Sequence, residues 1–141
     1  MGTWQPVAAL RVDAVAWAVA YLQPLLAARP EEYAAGAVVA RRESEPSPRP
    51  DCLVVVRRDG GLGDSLFDRP RLSVRTFALT SADAGGLAAV VSALLMEAPG
   101  SGPCTRVSHL SGPNEVEPPA GEAYPSAYQL FEVTLRAGRL T

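Results

Sequence analysis

The segment Cys52 to Arg58, CLVVVRR, constrains the fold more than any other. Its apolar run is unbroken and mostly β-branched, the pattern of a strand covered on both faces. It runs into DGGLGD, where Asp-Gly and Gly-Gly supply the positive φ of a reversal. Arg71 to Thr80, RLSVRTFALT, then alternates, with Leu72, Val74, Thr76 and Ala78 on one face. Ser73, Arg75, Phe77 and Leu79 fall on the other. The pair reads as strand–loop–strand.

Two helices can cover such strands. From Asp13 to about Ala28, Val12, Val15, Val19, Leu22 and Leu26 recur at spacings of three and four. Pro24 is expected to kink or split this helix near residues 20–23, because it removes a helical hydrogen bond. In Ser81 to Glu97, Leu87, Val90, Val91, Leu94 and Leu95 form a stripe, with Ser81 as the expected N-cap. Further strands are expected at Gly36 to Arg42, Thr105 to Leu110 and Ala127 to Arg136. Glu43 to Pro50 reads as a loop, and Ser111 to Pro125 as a long connecting loop or a hairpin end. The order α-β-β-β-α-β-β predicts an α+β fold. Its sheet is largely antiparallel or mixed, with two helices packed on one face, because strands joined without helices tend to pair antiparallel.

A chain of 141 residues suits one domain, spanning 1–141. It can bury roughly 68–70% of its unfolded surface without a metal or a disulfide. The net charge of −2 argues against a dedicated nucleic-acid binder. All 13 basic residues are Arg, which favours forked contacts and interface ion pairs. Cys52 and Cys104 belong to no CxxC pair and read as two buried thiols. The start MGTWQPVAAL lacks the basic and apolar regions of a signal peptide. The longest apolar stretch, Val12 to Ala28, is broken by Asp13, Gln23 and Pro24, so no membrane span is expected.

No catalytic constellation assembles. The loop DGGLGD leads to a strand and has no GK[ST], whereas a phosphate loop needs a helix N-terminus and a basic residue in register. Asp59, Asp64 and Asp68 are interleaved with Arg58, Arg69 and Arg71, which compete for the carboxylates a calcium ion would need. His109, the only imidazole, has Ser108 and Ser111 nearby but no GxSxG elbow. The reading is therefore of a non-enzyme with no cofactor and no metal. Two unlike loops stand out: Arg57 to Arg71, rich in Arg and Asp, and Gly112 to Pro125, with Glu115, Glu117 and Glu122 among prolines. Unlike patches suit a head-to-tail contact that closes into a ring.

The ordered set VDAVAWAVAYLQPLL, CLVVVRRDGG, DRPRLSVRTFA, SADAGGLAAVVSALL, RVSHLSGPNEVEPP and AYQLFEVTLR resembles the tail terminator proteins of long-tailed, siphovirus-type phages, particularly those of actinobacterial hosts. The resemblance implies a small subunit of a homo-hexameric ring. Such a ring caps the tail tube, ends its polymerisation and joins it to the head connector. Its partners are further copies of itself, the tail tube protein and head–tail connector proteins. DNA can pass through the lumen without specific recognition, and no membrane is involved. The implied location is the virion tail or neck, after assembly in the host bacterial cytoplasm. Another neck protein, such as a head–tail connector or completion protein, or a tube subunit, is the alternative; a small ligand-binding domain or enzyme is the more remote one. The contact candidates are Arg57, Arg58, Asp59, Asp64, Asp68, Arg69, Arg71, Glu115 and Glu117. Pro24 and the longer ESEPSPRP loop depart from the family pattern. Reversing Arg57 and Arg58 together is expected to spare the fold and impair assembly.

Overall fold

The computed structural model describes residues 9–64, 66–116, 118 and 124–139. Its elements run β1 (Ala9–Leu10), α1 (Ala14–Ala27), α2 (Glu32–Ala35), β2 (Val38–Ala40), β3 (Leu53–Arg58), β4 (Phe67–Asp68), β5 (Arg71–Phe77), α3 (Ser81–Met96), β6 (Cys104–Val116), β7 (Ser126–Arg136) and β8 (Gly138–Arg139). The expected α+β class holds, with the long helices α1 and α3 packed on one face of a mixed sheet.

The sheet runs β2-β3-β5-β7, with β4 following β5 along one edge of β7 and β6 along the other. The β3–β5 and β5–β7 pairs are antiparallel. The β2–β3 pair is parallel, Val38 opposite Leu53, which corrects the expectation for strands joined without a helix. Parallel neighbours need a crossover of about a dozen residues. Here residues 41–52 supply it as irregular chain.

Alternation along β5 and β7 sets the two faces. Leu72, Val74 and Thr76 are buried toward the helices, as are Ala127, Gln129, Phe131, Val133 and Leu135. They meet Ala14, Ala18, Leu22 and Leu26 of α1 and Leu87, Val91 and Leu95 of α3. The most buried line of α1 thus runs through small alanines, while Val12, Val15 and Val19 pack at its margin. β3 is covered on both faces, as its sequence requires: Val54 and Val56 join the main core, and Leu53 and Val55 a smaller cluster with Ala40 and Phe77.

Helix ends follow local chemistry. Asp13 caps α1, its Oδ1 accepting from the Ala16 N–H at 3.0 Å. Pro24 lies inside α1, which continues unbroken to Ala27, so the expected split does not occur. Thr80, rather than Ser81, caps α3, its Oγ1 accepting from the Asp83 N–H. Polar pins also join α1 to α3 and α3 to the sheet. The Tyr21 hydroxyl donates to the Leu94 carbonyl at 2.6 Å, and the Thr76 hydroxyl donates to the Ala84 carbonyl at 2.9 Å. Gln23 of α1 donates to the Ala37 carbonyl and accepts from the Val39 N–H, occupying the open edge of β2 much as another strand would.

β6 extends to Val116, well into the segment expected to be loop. Its register slips between Cys104 and Arg106, His109 and Ser111, and Ser111 and Asn114. Such bulges let a Gly- and Pro-bearing segment stay in a ladder at the sheet edge.

Candidate interaction surfaces

The loop between β3 and β5 is closed by backbone bonds from Asp59 to Arg71 and from Arg71 to Gly60. Gly60 and Gly61 have φ of +82° and +94°, the left-handed region that favours glycine. A Cβ on Gly61 would collide with the backbone of Arg69 to Arg71, so the turn packs directly on the returning chain.

Within this loop four charged side chains bond to the loop itself, although only Asp68 is buried. Asp68 has a fully buried carboxylate, held by Arg58 through Nη1–Oδ2 at 2.7 Å and Nη2–Oδ1 at 3.1 Å. Arg11 approaches Asp68 Oδ1 at 3.7 Å. The Arg58 bond, opposed by burial, holds the Asp68 carboxyl below the ordinary aspartate range. Asp64 Oδ1 accepts the N–H groups of Phe67 and Leu66, each at 2.8 Å, which lowers its pKa. Arg69 lies 3.5 Å from Asp64 Oδ2. Four of the contact candidates, Arg58, Asp64, Asp68 and Arg69, thus build the loop itself. Reversing Arg58 would set a carboxylate against buried Asp68, so the expectation that the Arg57–Arg58 double reversal spares the fold does not hold for Arg58.

The other candidates are not gathered in one place. Asp59 and Arg71 are exposed side by side where the loop closes, Arg71 opposite Glu132 on β7, while Glu115 is exposed apart from them on β6, opposite Ala127. Glu117 and Glu122 lie outside the described residues. The loop presents Leu62 and Leu66 to solvent, 85% and 68% exposed. His109 is stacked on Phe131 with ring centroids 4.6 Å apart, near Ser92 and the Ser111 carbonyl. That is a packing role. Cys104 is buried and Cys52 half-buried; burial raises both thiol pKa values.

Arg57 leads to a surface that the sequence did not single out. It projects from the sheet face opposite the helices, where the crossover of residues 41–52 returns. Between crossover and sheet lies a groove of about 810 Å³. Arg42 and Arg49 line it from the crossover, Arg57 and Arg75 from the sheet, over Phe77 and Tyr128. Arg49 lies over Phe77 and Tyr124, 5.0 and 4.1 Å from their ring centroids, and Arg75 also lies 5.0 Å over Phe77. These are cation–π distances. The acid in the lining, Glu43, already pairs with Arg49 Nη1 at 2.7 Å. Arg49 Nε and Nη2 are closed off from solvent with no hydrogen-bond partner among the described residues. Among the described residues, no group of His, Cys, Asp and Glu could hold a metal ion, and no helix is long and apolar enough to cross a membrane.

No family model matches the sequence, and no curated protein matches it. Among solved structures, the fold is similar to that of a chain from the virion of a native gene transfer agent (GTA) particle. The TM-score is 0.62 at 20% sequence identity, over 89% of this chain and 99% of that one. At this identity the likeness defines a shared fold along nearly the whole of both chains.

Proposed function

We propose that the chain is a phage-type virion structural protein, and within that class a tail terminator. In this reading, copies form a ring that caps the tail tube, ends its polymerisation and joins it to the head connector. The observation that carries the reading is the near full-length fold likeness to a virion chain. The ordered sequence segments that resemble tail terminators of siphovirus-type phages narrow it from virion component to terminator. The protein works through surfaces, with no catalytic centre or cofactor, and resides in the tail or neck after assembly in the host cytoplasm.

The test is to add the purified protein to polymerising tail tubes and to locate it in assembled particles. A terminator stops tube growth and appears as one ring at the head-proximal end. Repetition along the tube would make it a tube subunit, and a place inside the neck would make it a connector or completion protein. Either result overturns the terminator assignment.

A further inference from the structure

The arginine groove has a counterpart elsewhere on the chain. A second hollow, about 310 Å³, is lined by Glu32 of α2, Asp51 before β3 and Asp83 in the first turn of α3. Tyr33, Cys52 and Leu79 complete its apolar part, and Leu79 is 59% exposed. No Arg lines it, and none of its three acids has an ion-pair partner among the described residues. In the first groove, Arg42, Arg57 and Arg75 likewise have no ion-pair partner there. Four guanidinium groups around one acid repel one another. A fold that keeps them together over aromatic rings, with Arg42, Arg57 and Arg75 free of ion-pair partners among the described residues, is suited to receive negative charge.

We propose that the arginine groove of one copy is covered by the exposed acidic surface around Leu79 of the next, with Arg42 and Arg57 facing Asp51 and Asp83. The occupant is a second copy because the chain itself carries the complementary charge and an exposed Leu79 to meet the groove's aromatic floor. The two patches differ, so the contact is head-to-tail and repeats until it closes. The chain's net charge of −2 disfavours a nucleic acid as the occupant. This contact rests on the ring reading for its biological setting, but it is measurable in the purified protein alone.

The experiment is sedimentation of the purified chain up to millimolar concentration, at low and high salt. The variants are Arg42→Glu with Arg57→Glu, and Asp51→Arg with Asp83→Arg. All four residues are exposed, and the Thr80 cap uses the backbone of Asp83 rather than its side chain. The wild type should self-associate, less so at high salt, because screening weakens exposed charge pairs. Each variant should associate at least about tenfold more weakly, since like charges then face one another. An equimolar mixture of the two should recover association, because each groove again finds an opposite partner. Should the Arg→Glu pair fail to fold, Arg42→Gln with Arg57→Gln takes its place, with a smaller loss expected. A wild type that stays monomeric overturns the proposal, as do variants that associate normally or a mixture that does not recover. So does a fluorescent oligonucleotide that binds the wild type and not the arginine variant. If variants altered in the groove still form normal rings on tails, the groove contact is wrong while the terminator reading stands. If the contact is confirmed but the protein sits elsewhere in the particle, the reverse holds.

Discussion

Arg58 and Asp68 form a two-bond ion pair across the base of the β3–β5 loop, with the carboxylate fully buried and the guanidinium about one-third exposed. Asp68 also belongs to β4, which pairs with β7 through Phe67 opposite Arg136 and Asp68 opposite Leu135. The pair therefore ties the loop to the core side of the sheet. Replacing Arg58 with Ala strands a buried charge. The expected loss is about 2 kcal/mol, below the usual range for fully buried pairs because Arg58 is partly solvated. Urea unfolding measures it, and a loss under about 0.5 kcal/mol would place the pair among ordinary surface contacts.

The same pair sets an acid dependence. Asp68 titrates below its unfolded value, so its stabilisation is present above the unfolded aspartate pKa of about 3.9 and is lost as pH falls through the lower folded value. Asp64 and Asp13, also lowered, act in the same direction. The unfolding midpoint in urea should fall as pH drops below about 4. In Arg58→Ala the fall should be shallower, because Asp68 then gains by taking up a proton. Identical pH profiles for the two proteins would remove Asp68 as the cause.

Gly61 combines a φ of +94° with backbone contact to Arg69 to Arg71 at the position a Cβ would fill. Gly61→Ala should cost more than about 1 kcal/mol. Gly60 has a similar φ but open space around it, so Gly60→Ala should cost less. Comparing the two separates backbone strain from collision. Equal losses would show that packing against the returning chain contributes nothing.

Gln129 is fully buried in β7; its Nε2 donates to the Ala88 carbonyl at 2.8 Å, and its Oε1 has no partner among the described residues. Gln129→Met removes one hydrogen bond and one unpartnered buried oxygen. The two effects oppose each other, so stability should change by less than about 1 kcal/mol. A loss above about 2 kcal/mol would mean that the amide is required to seat α3 on the sheet.

The helices and central strands are legible because burial repeats along them: the α3 stripe and the alternation of β5 and β7 each point to one core. Strand direction carries no such periodicity, so the parallel β2–β3 pair could not be read. Its consequence, a crossover lying over the sheet, brings together residues as far apart in sequence as Arg42 and Arg75. The groove therefore has no compact sequence signature, whereas the loop with similar charges does. The loop's composition was visible; that Arg58 and Asp68 satisfy each other was not, because ten residues of spacing do not say which way a turn folds. Residues 111–116 looked like loop because glycine and proline weaken strands, yet an edge with bulges accommodates them.

The central claim is most directly tested by electron microscopy of tail tubes assembled with and without the purified protein. The expected result is tubes of limited length, each closed at one end by a single ring of this chain. Tubes that grow unchecked with the protein left free in solution would contradict it.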